Sequence, residues 1–278
     1  MDKLVWHDHP DKKVREICDN LAEVKKTKGE KAFWDVTRHL LKTDQWFMMR
    51  VAFEWAWLDE DLVGHYLIRH LCENEHDDKA LIMPRGHGKT LPMSANWCNE
   101  IIRNPNIALL ELSRTEDNAN KFGALVAENL MYNPLLQKCF AKKYNEKDGF
   151  LPSAVSECNQ WGKDGYSLPW RKPRIDPTFL CISLKAAIAG KHPDKIYIDD
   201  PTEAQNNDPA GWEHVTRTIN GLKMLLPPDG SFTWTGTRWH DADPLGKAEK
   251  GKLLGKQGAF KVLKRSCYVD DKPAKPPT

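Results

Sequence analysis

No apolar run in this 278-residue chain approaches the length needed to cross a bilayer. The amino terminus, Met-Asp-Lys-Leu-Val-Trp-His, lacks the apolar core of a secretory leader. Charge of one sign is also missing: 41 Lys and Arg against 39 Asp and Glu leave a formal +2. No global basic field therefore marks a nucleic-acid coat, although a protein touching nucleic acid through a few local contacts needs none. The seven cysteines (Cys18, Cys72, Cys98, Cys139, Cys158, Cys181, Cys267) form no CxxC pair. Odd in number and scattered, they read as reduced core thiols of a cytosolic protein, not a disulfide framework or zinc site. There is no internal repeat and no low-complexity tract. His7 and His9 read as part of an exposed tail.

What is present centres on Lys79 to Asn104. Ala80-Leu81-Ile82-Met83 predicts a short buried strand, and Pro84-Arg85-Gly86-His87-Gly88-Lys89-Thr90 a glycine-rich turn. Leu91, Ser94, Ala95, Cys98, Ile101 and Ile102 then follow helical spacing. Pro92 falls in the first helical turn, where its missing N–H costs nothing. Glycines let backbone N–H groups close around a phosphate, and the helix N-terminus adds partial positive charge. Lys89 is placed to reach the β- and γ-phosphates of a nucleotide, and the Thr90 hydroxyl to ligate Mg²⁺. The pattern GxxxxGK[ST] departs from consensus at its first glycine, where this chain has Met83. An ordinary glycine-rich strand–helix turn is the alternative reading.

Residues 14 to 75 read as a run of helices, with Phe47, Val51, Trp55 and Leu58 on one stripe and Leu62, Tyr66, Leu67 and Leu71 on another. Phe33, Trp34, Trp46, Phe47, Phe53, Trp55 and Trp57 are core aromatics by spacing, with walling an adenine or stacking on DNA bases as the sharper alternative. Gln45 is a candidate adenine reader by its place before the nucleotide-binding strand. Asn104-Pro105-Asn106 breaks the chain before the apolar strand Ile107–Leu112. Ser113-Arg114-Thr115-Glu116 fits a capping box opening a helix through about Met131. This βαβα pattern favours an open α/β sheet.

Residues 133 to 177 are punctuated by proline and glycine and carry Trp161, Tyr166 and Trp170 among Lys163, Arg171, Lys172 and Arg174. Either a loop-rich insertion pinned by aromatics or a single-stranded nucleic-acid surface fits. A strand follows at Thr178–Ser183. A second, Lys195-Ile-Tyr-Ile-Asp199, ends in Asp199-Asp200-Pro201 about a hundred residues after the loop. Asp199 can hold Mg²⁺ through water opposite Thr90, and the neighbouring acid can polarise an attacking water. Asp208-Pro209 opens a helix bearing Trp212, Val215, Ile219, Leu222 and Leu226. Ser231–Thr237 is another strand, and Asp241 and Asp243 read as loop caps. Lys247, Lys250, Lys252, Lys256, Lys261, Lys264 and Arg265 against Glu249 alone make a basic face, either a solvated hairpin or a DNA-backbone contact.

Four motifs in this order, Pro84–Thr90, Ile188-Ala-Gly190-Lys191-His192, Ile198–Pro201 and Trp234-Thr-Gly-Thr-Arg-Trp-His240, resemble the ATPase domain of tailed-bacteriophage terminase large subunits. The resemblance spans about Leu81 to Gly246. It implies an additional-strand (ASCE) P-loop ATPase: an α/β fold with a mostly parallel central sheet, here with an N-terminal helical extension. It divides the chain into a helical region (1–75), an ATPase core (76–268) and a linker (269–278) towards a nuclease domain that is absent, so no cutting activity is expected. The implied activity is ATP hydrolysis driving double-stranded DNA into a procapsid in the host cytoplasm. The implied partners are the portal protein, the small terminase subunit and further copies in a homo-oligomeric ring, a pentamer. By resemblance Arg85, Gly86, His87, Gly88, Lys89 and Thr90 bind ATP, and Thr90 and Asp199 bind Mg²⁺. Asp200 is the favoured catalytic base and Glu203 its rival, because the family's Asp-Glu is Asp-Asp here. Arg85 resembles the family's loop arginine, with Arg114 and Arg238 as weaker candidates for the same charge. Thr235, Gly236, Thr237 and Arg238 match the motif that couples nucleotide state to DNA. A P-loop nucleotide kinase, another DNA-dependent ATPase or helicase, and a non-hydrolysing assembly protein are the alternatives.

Overall fold

The computed structural model describes residues 12–55, 57–58, 67–69, 71–72, 78–163, 165–202, 208–253, 260–264, 268–269 and 272–273. Strands β1 (Lys79–Ile82), β2 (Leu109–Ser113), β3 (Gln160–Gly162), β4 (Gly165–Ser167), β5 (Phe179–Ser183), β6 (Lys195–Asp199), β7 (Ser231–Gly236) and β8 (Lys261–Lys264) form one sheet. Its order is β3-β4-β5-β2-β6-β7-β1-β8. From β5 to β8 every neighbour is parallel, and the antiparallel β3–β4 hairpin closes one edge. β1 and β2 are buried at every residue, which is why they read as continuous apolar runs. β1, which leads into the glycine-rich loop, does not touch β6, which ends in the aspartates. β7 lies between them and pairs with both. That inserted strand is the additional-strand arrangement, and it lines up Met83, Asp199 and Thr235–Gly236 at one edge.

Helices α1 (Lys12–Thr43), α2 (Gln45–Phe47), α3 (Thr90–Arg103), α4 (Glu116–Tyr132), α5 (Pro134–Phe140), α6 (Pro209–Lys223) and α7 (Pro244–Glu249) cover the two faces. Leu81, Leu109, Phe179, Cys181 and Tyr197 share one core with α1, α3, α4 and α5. Ala80, Ile82, Leu110, Ile198, Phe232 and Trp234 share the other with α6 and α7. Because α3 is wedged between sheet and N-terminal helices, Trp97, Asn99 and Glu100 are buried along with its predicted stripe. Leu91, predicted within that stripe, is 40% exposed.

Several boundaries differ from the sequence reading. α1 is broken at Gly29 (φ 85°, ψ 174°), and the Phe47–Leu58 stripe passes through a π-helical turn, Met48–Ala52, which ends before Trp55. Leu62 and Tyr66 lie outside the described residues. The cap of α4 is Thr115, accepting from Asn118 N at 3.2 Å; Ser113 is the last residue of β2 and donates to Glu111 instead. Pro134 starts a helix rather than a loop, because Asn133 caps it and a first-turn proline needs no N–H partner. The basic face is not a hairpin: α7 is followed by β8, parallel to β1 at the sheet edge. Tyr268–Val269 and Lys272–Pro273 pair antiparallel beyond it.

Gln45 is spent on packing, its amide donating to Asn96 Oδ1 at 2.6 Å on α3. The two loop arginines are spent likewise. Arg171 donates to the Asn106, Ile107 and Asp176 carbonyls, and Arg174 grips Asp194 and the His192 carbonyl. Among the described residues, no helix is long and apolar enough to cross a membrane.

Candidate functional site

The loop after β1 is tied to the end of β7 from its first residue. Met83 N donates to Gly236 O at 3.1 Å, while the Met83 side chain is buried in the core. Where the consensus asks for glycine, this chain thus has the first residue after β1, held by the neighbouring strand. Gly86 (φ 77°) and Gly88 (φ 68°) take left-handed backbone that L side chains rarely adopt. A Cβ on Gly88 would also stand 3.2 Å from the Trp57 ring. The loop opens on a cleft of about 360 Å³, lined by Arg85, Gly86, Gly88, Lys89, Thr90, Leu91, Asn118 and Asp200.

Across that cleft the two halves predicted from sequence meet. Thr90 Oγ1 donates to Asp199 Oδ2 at 2.8 Å, bridging 109 residues of chain. The buried Lys89 Nζ lies 3.5 Å from Asp200 Oδ2, and donates to Thr237 Oγ1 at 3.1 Å and to the Met83 and Pro84 carbonyls. Asp200 Oδ1 accepts from Thr237 N at 2.9 Å. The fold is a mostly parallel α/β sheet that brings a glycine-rich strand–helix loop and a strand-end aspartate pair together at one edge.

The rest of the site tunes those aspartates. Asp199 Oδ1 accepts from Thr235 Oγ1 at 2.8 Å and from Tyr197 OH at 3.1 Å. Burial pushes the Asp199 carboxyl above its ordinary range and Asp200 pushes it further, against the three hydroxyls that favour its charged form. Glu111 faces the same side of the sheet, in register with Tyr197, and is fully buried. Its Oε1 accepts from Ser113 Oγ, and burial holds its carboxyl well above the ordinary range. A threonine hydroxyl beside one carboxylate is a hard-oxygen donor set. It suits Mg²⁺, which takes one or two carboxylates plus substrate phosphates and keeps waters. Among the described residues, no group of three His, Cys, Asp or Glu forms a self-sufficient metal cage.

The remaining candidates divide. Arg85 is at the cleft, its guanidinium 4.9 Å from the Trp239 ring centroid. The His87 imidazole is buried against Arg85 O and does not line the cleft. Thr235, Gly236 and Thr237 all touch the site: a Cβ on Gly236 would stand 2.7 Å from Leu245 and 3.5 Å from Asp200 Oδ1. Arg238 turns away to Glu249 and Asp241. Asp243 is the loop cap expected, accepting from Trp239 N and Gly246 N. Glu203 lies outside the described residues. His192 is not at the cleft: its N–H donates to Asp176, just before β5, at the opposite end of the sheet. Sequence reasoning missed Tyr197, Glu111 and Asn118. For Tyr197 and Glu111 the available signal was a polar atom at an inward position of an otherwise apolar strand; Asn118 has no such mark.

No family model matches the chain, and no curated protein matches it significantly. In fold it is similar to the HK97 bacteriophage large terminase, with a TM-score of 0.46 and 13% identity over 74% of this chain and 39% of that one. It is also similar to an S. cerevisiae Dbp5 variant bound to a Gle1 variant and IP6, with a TM-score of 0.45 and 13% identity. That alignment covers 73% of this chain and 46% of the other, so this chain spans less than half the length of either protein.

Proposed function

We propose that this chain is the ATP-hydrolysing motor domain of a viral terminase large subunit, driving double-stranded DNA into a procapsid. The observation that carries the hydrolytic part is the 2.8 Å contact between Thr90 and Asp199, with Lys89 facing Asp200 beside it. The packaging part rests on the order of the four motifs. In this reading residues 1–75 are a helical extension, 76–268 the ATPase core and 269–278 a linker. Double-stranded DNA, portal protein, small terminase subunit and a pentameric ring of this chain are the partners, in the host cytoplasm.

The loop N–H groups from Gly86 to Thr90 and the α3 N-terminus bind the phosphate chain of ATP. Lys89 leaves Asp200 for the β- and γ-phosphates and neutralises charge there. Thr90 and Asp199 would hold Mg²⁺, which would supply positive charge beside the phosphates. Asp200, released from Lys89, accepts a hydrogen bond from the attacking water and orients it in line with the γ-phosphorus. Arg85 reaches the same oxygens from the loop. Catalysis is then positioning plus charge stabilisation, as in other phosphoryl transfers. Thr237, which touches both Lys89 and Asp200, passes the change to the segment after β7.

Phosphate release measured with and without double-stranded DNA, across protein concentration, tests the proposal. Release should rise with DNA and more steeply than in proportion to protein. Phosphoryl transfer to a nucleoside monophosphate would make the chain a kinase. ATP binding without turnover at any concentration would make it an assembly protein.

A further inference from the structure

Asp199 has two carboxylate oxygens, and the chain commits each to a different partner. Oδ2 accepts from Thr90 on the cleft side. Oδ1 lies 2.8 Å from Thr235 Oγ1 and 3.1 Å from Tyr197 OH, and those two hydroxyls are 2.8 Å apart. Three oxygens close a triangle that contains only two hydroxyl protons. Thr235 donates its single proton to Asp199 and so has only lone pairs to offer Tyr197. The shorter of the two tyrosine contacts is the one to Thr235. The tyrosine proton thus fixes the direction of the threonine proton.

Both hydroxyls are anchored by the core rather than by Asp199. Thr235 and Tyr197 are 0% and 1% exposed. The tyrosine ring lies edge-on to Trp97 at 6.4 Å and tilted on Phe122 at 5.4 Å. β6 and β7 are hydrogen-bonded neighbours with Asp199 opposite Thr235 in register. A carboxylate held only by Thr90 would be free to turn about its own Cβ–Cγ bond. One held from behind by Thr235, whose proton Tyr197 directs, keeps Oδ2 forward.

We propose that Tyr197 and Thr235 form a hydroxyl clamp that positions Asp199 to receive Mg²⁺. The inference rests on reading the cleft as a metal–nucleotide site. Neither residue touches the nucleotide, and both act through Asp199. Partners of this kind behind a metal ligand change metal affinity by about 10–100-fold. Thr235 belongs to the segment expected to couple nucleotide state to DNA. The clamp gives it a second task, at the metal.

The test is binding of a fluorescent ADP analogue to the full chain, titrated with Mg²⁺ and repeated in EDTA. Tyr197→Phe keeps the ring and Thr235→Val keeps the shape, so each removes a hydroxyl and little else. Each should raise the half-saturating Mg²⁺ concentration several-fold, and the double variant by about 10–100-fold. Affinity in EDTA should stay within about twofold of wild type, and Thr235→Ser should restore the wild-type Mg²⁺ response. An unchanged Mg²⁺ requirement overturns the clamp, and so does an equal loss with and without metal, which marks a purely structural role. Should the double variant not fold, Tyr197→Phe alone decides by the same criteria. A wild-type protein with no Mg²⁺-dependent nucleotide binding overturns the underlying reading of the cleft instead.

Discussion

Asp200 occupies backbone that a non-glycine residue rarely takes, at φ 40°, a position costing roughly 1–2 kcal/mol. Thr237 N and Lys89 hold its carboxylate there, one oxygen each. Asp200→Asn preserves shape and removes charge. It should leave ATP binding within a few-fold and cut phosphate release by about 10²–10⁴; a fully active variant would transfer the role to Glu203. Glu111 makes a different statement, about pH. Burial pushes its carboxyl up most strongly, Asp199 adds to that, and Ser113 opposes it; Cys181 and Tyr197 are further titratable neighbours. The folded chain therefore holds this proton more tightly than the unfolded chain. The stability it contributes is fully present below its ordinary value of 4.5 and is lost as pH rises through the raised folded value. Glu111→Gln cannot ionise, so it should be more stable than wild type at pH 8, by about 1–3 kcal/mol. The gap should close as pH falls towards 4.5, and melting temperatures across that range check it. Equal melting at pH 8 would mean the buried carboxylate carries no such penalty.

At the level of elements, β7 joins loop to aspartates. It backs Met83 on one side and Asp200 on the other through Gly236 and Thr235. Gly236 is the tightest point, because a methyl there meets Leu245 at 2.7 Å. Gly236→Ala should cost about 1–3 kcal/mol of stability and shift Asp200 enough to slow hydrolysis while nucleotide still binds. Wild-type turnover in that variant would show the segment to be looser than this packing requires. The strand ends carrying this site were legible in the sequence, because buried parallel strands announce themselves as apolar runs and the loop and aspartates directly follow two of them. The placing of β7 between β1 and β6 came from family resemblance, since no local pattern states which strands pair. The α4 cap and the α5 start were misread for a physical reason. Ser113 fits the capping pattern as well as Thr115, and Pro134 reads equally well as loop and as helix start; the hydrogen bonds that decide are made by Thr115 and Asn133. Tyr197 was passed over because its ring satisfies the apolar pattern, while its hydroxyl is what meets Asp199 and Thr235.

At the scale of the whole molecule, the N-terminal helices and the sheet face beneath α3 form one continuous core, from Val14 to Tyr197. Polar joints cross the boundary as well: Asn99 donates to the Leu41 carbonyl at 2.7 Å, and Asn133 to the Ala52 carbonyl at 2.5 Å. Each therefore satisfies a helix-end carbonyl of the extension from within the ATPase core. A division at residue 75 follows sequence motifs but cuts through packing. Leu21, Phe33, Leu41, Phe47, Met48 and Met49 are all buried in that shared core. Burying each contributes about 1.5–3 kcal/mol, so together they match the roughly 5–15 kcal/mol by which a whole domain is stable. Removing residues 1–75 would also take away the hydrogen-bond partners of Asn96 and Asn99 on α3. The full chain should accordingly melt in one transition, seen alike by circular dichroism and by loss of nucleotide-dependent fluorescence. A fragment of residues 76–278 should be insoluble or lack a cooperative melt. If that fragment instead melts cooperatively and binds nucleotide, the extension is a separable domain, and the phosphate loop does not depend on the Trp57 side chain packed against Gly88.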